Sequence, residues 1–532
     1  MTNIFRHIKL WISALACTCF FIVAMAQTAS KQDPAITFAQ TITIEELQKH
    51  LEIIAGPSHK GRGNGQEGQK ITGQYLAQYF QTLGLPAKGN DGYFQTVPLQ
   101  TNASTDANIV INGTKYEFMK DFYVFPRNSF NMDEIIKRVT FAGYGIDDPK
   151  YSDYNNTDPK GKTLAIWVGE PMKTDSTFWI TQTKEPSEWT SNWRKKIEIA
   201  RNKGVKSLII ITPNIEKNIE RMRETITNKN SMQLLADATG NNTAENNMNV
   251  FYVSEAIAQK IFKTDTKIWK NEIDKKAKPK RIITKTKLNL SINKNGKAIS
   301  VENVLGFIEG TDLKNEILVI TAHYDHLGTE HGETYYGADD DGSGTVALLE
   351  IAQAFVEAKK AGYSPRRSIL IMPVAGEENG LLGSRYFTDI QPIFPLKNII
   401  ADLNIDMIGR IDDNHDDGNY VYIIGSDKLS IELHQINEQA NKNYTQLELD
   451  YKFNDPNDPN RFYYRSDHYN FAKNKIPIIF YFNGVHDDYH KPTDTVEKIN
   501  YQALQKRTLL VFHTAWLLAN RDKRIVVDSD KK

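Results

Sequence analysis

Cysteine is nearly absent: the 532 residues hold two, Cys17 and Cys19, both inside an apolar N-terminal run from Leu10 to Met25. Arg6 and Lys9 precede the run and Ala24-Met25-Ala26 closes it, the charged start, apolar core and small-residue boundary of an export signal. Cleavage after Ala26 leaves a mature chain without thiols, which excludes disulfides and cysteine-held zinc. The run is short for a spanning helix, so no stable membrane insertion is expected after cleavage, and the product belongs in the periplasm or outside the cell. Ala16-Cys17 offers lipoprotein processing as the lesser alternative.

Net charge is missing as well. Lys+Arg and Asp+Glu number 65 each, and no basic cluster is interleaved with aromatics, so nucleic acid is not an expected partner. No internal repeat is visible, and the length suggests two or three domains. With thiols gone, metal ligands can come only from His, Asp and Glu.

Four apolar runs read as buried strands, and each delivers such residues at or beyond its C-terminal end. Ile317-Leu318-Val319-Ile320 leads to Ala322-His323-Tyr324-Asp325 and then to Gly337-Ala338-Asp339-Asp340-Asp341-Gly342-Ser343-Gly344; Ile369 to Val374 leads to Glu377-Glu378; Ile399 to Ile405 leads to Asp406; Ile478 to Phe482 leads to His490. One His-x-Asp is weak evidence, but ligands in open α/β sheets collect outside the carboxyl ends of the strands, and four such ends mark a site.

From Val301 onward strands alternate with helical patterns, the last about 496–520, which predicts an α/β fold: a mostly parallel mixed sheet with helices on both faces. Helices are also expected near 43–51 and 68–83. Residues 101–299 differ, with short β-rich runs among Asn- and Lys-rich loops, and read as an inserted β-rich domain; its helix is placed at about 189–202 and its Lys-rich stretch 265–287 as a solvated face or linker. Lys60-Gly61-Arg62-Gly63-Asn64-Gly65 reads as a plain loop. Asp339 and Asp341 are expected to cap the following helix or point away, Asp494-Thr495 to cap the last helix, and His468 to be structural.

The ordered motifs Ala322-His323-Tyr324-Asp325, Gly337-Ala338-Asp339-Asp340, Gly376-Glu377-Glu378-Asn379-Gly380, Asn404-Ile405-Asp406-Met407 and Asp488-Tyr489-His490-Lys491-Pro492 resemble those of the M28 zinc metallopeptidases. The resemblance covers about 41–100 and 300–520. The insert resembles a protease-associated domain at Phe141-Ala142-Gly143-Tyr144-Gly145 and Lys160-Gly161-Lys162.

The resemblance implies a zinc exopeptidase-like fold and two Zn2+ ions held by His323, Asp340, Glu378, Asp406 and His490, with Asp340 bridging. It implies an exported aminopeptidase that hydrolyses N-terminal residues from peptides through a metal-bridging water activated by Glu377. Neighbours such as Glu377 and Glu378 leave a turn in different directions, which suits one base and one ligand. Asp325 is expected to accept the free ring N–H of His323. Tyr463, ranked first, and Tyr489 match an oxyanion-stabilising tyrosine in different branches. A carboxypeptidase, for which Arg461 and Arg465 would be the nearby cations, a non-hydrolytic relative such as a glutaminyl cyclase, and a binding module with structural metal are the alternatives. Oligomeric state has no signature in the sequence.

Overall fold

The computed structural model describes residues 33–101, 105–126, 129–155, 158–192, 194–227, 232–238, 248–330 and 332–528. The export signal expected at 1–26 lies outside the described residues. Among those residues no helix is long and apolar enough to cross a membrane. The chain falls into two compact units, one drawn from Met1–Phe94, Val304–Val374 and Pro392–Lys532, the other from Gln95–Asn303 and Ala375–Gln391.

The first unit is built on a seven-stranded mixed sheet: β1 Gly306–Ile308, β2 Leu313–His323, β3 Arg367–Val374, β4 Ile399–Ile405, β5 Tyr420–Ile424, β6 Glu448–Asp450 and β7 Ile478–Phe482, in the spatial order β1-β3-β2-β4-β7-β5-β6. The four neighbours β3, β2, β4 and β7 are mutually parallel, so their carboxyl ends meet at one edge; β1 and β5 run antiparallel to the strands they join. Ile317 to Ile320, Ile369 to Met372 and Leu403 are 0–3% exposed, as expected of parallel strands covered on both faces. Each such side chain contributes about 1.5–3 kcal/mol on burial.

The main helices of this unit are α1 Ile44–Ile54, α2 Glu67–Thr82, α3 Gly344–Lys360, α4 Ile431–Ala440 and α5 Tyr501–Asn520. Thr43 caps α1 through Glu46 N–H at 3.2 Å, and Asp341 Oδ1 accepts Gly344 N–H at the start of α3 at 2.8 Å, the capping role expected of it. The last helix corrects the sequence reading. It begins at Tyr501, and its cap is Asn500, which accepts Ala503 N–H at 3.0 Å. Asp494 lies too far upstream to reach those amides and is buried in another role described below.

The second unit carries an eight-stranded sheet and a three-stranded one. The Lys-rich stretch is not a linker: it forms a helix Lys267–Lys276 and the long strand Arg281–Lys294, in which exposed Arg281, Ile283, Lys285 and Lys287 alternate with more covered neighbours. The helix expected at 189–202 is two pieces, Glu188–Ser191 and Arg194–Asn202. At Phe141 to Gly145 the chain turns through left-handed Gly143 and Gly145, fixed by Asp153, whose Oδ2 accepts the amides of Tyr144 at 3.0 Å and Ile146 at 3.1 Å. A Cβ on Gly143 would stand 2.1 Å from Asp153 Oδ1, so only glycine fits.

Sequence grouped 375–391 with the sheet, whereas this segment packs with the second unit. Asn303 is the reason: its Oδ1 accepts Ala375 N–H at 3.2 Å while its Nδ2 donates to Gly383 O at 3.0 Å and Gln95 Oε1 at 2.9 Å.

Candidate metal centre

His323 is the last residue of β2, Asp406 follows β4 directly, and Asp340 and His490 come from the loops after β2 and β7. The Nδ1 of His323 lies 3.0 Å from the carbonyl of Asp325. A carbonyl only accepts, so Nδ1 carries the proton and Nε2 presents its lone pair. That Nε2 stands 3.2 Å from Asp340 Oδ1 and 3.6 Å from Asp406 Oδ1. On the other side, His490 Nε2 stands 3.1 Å from Asp340 Oδ2. One buried carboxylate thus faces a different imidazole with each oxygen.

Those separations test the fit of a metal. Two ligands bound at about 2.0–2.1 Å to one tetrahedral ion stand roughly 3.3 Å apart, which is the spacing seen on both sides of Asp340. The donor set, imidazole nitrogen and carboxylate oxygen, is one that zinc takes. His323, Asp341 and Asp406 also present ligand atoms within 4.8 Å of one another, although Asp341 Oδ1 already accepts the amides of Gly344 at 2.8 Å and Met407 at 3.0 Å. Burial would raise the Asp340 carboxyl, yet with His323 and His490 protonated on the nitrogens that face it, hydrogen bonds from both imidazoles more than reverse this and hold it well below the usual carboxylate range. Asp341 has no such pair of imidazoles bonded to it, and burial pushes it well above that range.

The backbone around Asp340 is held from two directions. Arg62, fully buried, donates to the carbonyls of Tyr324, Tyr336 and Gly337 at 2.7 Å each and of Ile54 at 3.2 Å. Asp494 Oδ2 accepts the amides of Asp339 at 3.0 Å and Asp340 at 3.2 Å. The loop 60–65 is therefore no plain loop: Arg62 ties both ligand-bearing loops together, and Asn64 Nδ2 donates to Asp325 Oδ2 at 2.5 Å. Asp325 does hold His323, but through its carbonyl; its carboxylate, turned toward Asn64, is 3.9 Å from Nδ1. Asp339 accepts from Gly409 N–H at 2.6 Å and faces His486 Nε2 at 3.1 Å.

Glu377 and Glu378 follow β3 by three and four residues, where the amides of Gly380 and Leu381 close a turn onto the Glu377 carbonyl at 2.6 and 2.9 Å. Tyr489 stacks on His490 with ring centres 3.9 Å apart and accepts from Arg465 at 3.3 Å. Tyr463 packs against His468 and under Lys428, and burial pushes its hydroxyl up to about 12. His468 bonds the Tyr463 carbonyl at 2.9 Å, and burial lowers it to about 3, as suits a structural imidazole. Arg461 lies over Tyr464.

His326 was not legible. Its Nδ1 is 3.8 Å from Asp340 Oδ2 and its ring 5.8 Å from that of His490. It sits beyond the end of β2, where alternation no longer tells which way a side chain points; the run His323-Tyr324-Asp325-His326 was the available signal.

Residues 303–515 match the family model described as Peptidase family M28. Among curated relatives, a probable leucine aminopeptidase of Trichophyton verrucosum is 30% identical over 216 residues, 38% of this chain and 54% of that protein. A probable glutamate carboxypeptidase of Arabidopsis thaliana is 34% identical over 119 residues, 22% of this chain and 16% of that protein. The chain thus spans well under two thirds of either relative. A solved aminopeptidase from Aneurinibacillus sp. strain AM-1 is similar over 93% of this chain and 98% of its own, at 17% identity and a TM-score of 0.48. Residues 303–515, which hold every ligand candidate named above, are thus similar to peptidase family M28.

Proposed function

We propose that the chain is an exported zinc metallopeptidase that acts as an aminopeptidase with two zinc ions. The observation that carries this reading is Asp340, whose two oxygens face His323 at 3.2 Å and His490 at 3.1 Å, the arrangement a bridging carboxylate requires. In this reading His323 and Asp406 complete one ligand set, His490 and Glu378 the other. When bound, the ions supply Lewis acidity toward the scissile carbonyl and toward water. Glu377, left outside the ligand count, takes a proton from water and returns it to the leaving amine. Tyr489, stacked on His490, is the better placed of the two tyrosines to donate to the developing oxyanion. Arg62 and Asp494 keep Asp340 aimed.

One observation favours a carboxypeptidase as the second reading: Arg465 reaches the Tyr489 hydroxyl beside His490, so a cation for a terminal carboxylate is at hand. Peptides blocked at either end separate the two. The aminopeptidase reading expects loss of turnover when the amino end is acetylated and none when the carboxyl end is amidated; the reverse pattern assigns a carboxypeptidase. Export is tested by the mass of protein recovered outside the cytoplasm, which should lack residues 1–26.

A further inference from the structure

The second unit contains a cavity of about 420 Å³ that the metal ligands do not touch. One wall is a stripe of the helix Arg194–Asn202, where Arg194, Ile197, Glu198 and Arg201 recur at i, i+3, i+4 and i+7. Apart from Ser129, the rest of the lining is apolar or aromatic: Val250 and Tyr252 come from the strand Asn249–Val253, and Phe125 meets Tyr252 edge-on at 5.4 Å. Tyr252 is in turn fixed by a parallel stack on Tyr123 at 4.7 Å. Arg201 is half-buried, yet among the described residues its guanidinium makes no hydrogen bond or ion pair; Glu198, one turn earlier, acts on it only through its field. A partly desolvated guanidinium beside an aromatic wall is a ready carboxylate site. Glu198 places an acceptor about 5–6 Å along the helix, within reach of a cation attached to that same carboxylate. The volume suits a molecule of one or two amino-acid residues.

We propose that this cavity binds a free α-amino acid with an apolar side chain, its carboxylate on Arg201, its ammonium on Glu198 and its side chain against Phe125 and Tyr252. The claim concerns the second unit alone and does not depend on the peptidase reading. Calorimetry on the zinc-loaded full chain with L-phenylalanine and with 3-phenylpropionate tests it. L-Phenylalanine should bind the wild type more tightly than 3-phenylpropionate. Arg201→Met should weaken L-phenylalanine roughly tenfold or more while leaving peptidase kcat unchanged. Glu198→Gln, on an exposed position, should weaken L-phenylalanine and leave 3-phenylpropionate as it was; this arm stands even where the Arg201 variant fails to fold. Binding of L-phenylalanine that neither substitution alters would overturn the proposal, as would equal affinity of the wild type for both probes.

Discussion

In the unit that carries the seven-stranded sheet, buried polar side chains converge. His323 and His490 face opposite oxygens of Asp340, and Arg62 and Asp494 hold the backbone that carries it. In the insert they disperse, closing in good part onto main chain. Lys196 donates to the carbonyls of Trp167 and Gly169, Lys294 to that of Ser129 at 2.9 Å, and Asp153 accepts two amides and the Tyr151 hydroxyl at 2.6 Å. The contrast separates two uses of buried charge. A charge satisfied by main-chain groups fixes a turn or a helix; acceptors aimed at a common point repel one another unless a cation joins them.

The largest effect that would sharpen this contrast lies at the paired glutamates. Glu377→Ala should keep its zinc and lose roughly 10²–10⁴-fold in kcat, whereas Glu378→Ala should lose zinc, because in the proposed two-ion reading each ion has few protein ligands. Metal content and steady-state kinetics on both variants distinguish them, and a metal-replete, fast Glu377 variant would reverse the assignment.

Next comes Arg62→Met, which leaves the carbonyls of Tyr324, Tyr336 and Gly337 unbonded in the interior. It should cost about 3 kcal/mol or more in denaturant unfolding and weaken zinc retention together. Loss of stability with full zinc affinity would make Arg62 a fold residue only.

In the insert the effect is a matter of pH. Burial pushes Lys196 down to about 7, with Asp153 and Glu170 pulling it back. The folded state then binds fewer protons than the unfolded state between pH 7 and about 10, so stability contributed at this site rises with pH across that window. Lys196→Met should flatten the rise in thermal midpoint; an unchanged slope would assign it to other groups.

Smallest is the cap of α5, where Asn500→Ala should cost about 1 kcal/mol, while Asp494→Ala should disturb zinc binding instead of the helix.

The strands were legible because continuous apolar runs such as Ile317 to Ile320 leave few other readings, and the ligand candidates because they recur just past those runs. Arg62 was hidden by its setting: a lone arginine in a Gly-rich loop reads as solvated, and its burial depends on carbonyls some 260–275 residues away in sequence. Asp494 was placed at the wrong helix because Asp-Thr near a helical pattern is a local signal, while its partners, the amides of Asp339 and Asp340, are non-local. The strand Arg281–Lys294 was concealed by lysines that occupy its exposed face.

The central claim is that Asp340 is shared between two ions, and the zinc-to-protein ratio of three purified variants tests it most directly. Asp340→Ala should lose both zincs, whereas Asp406→Ala and His490→Ala should each keep close to one. An Asp340→Ala protein that still holds one tightly bound zinc would contradict the bridge.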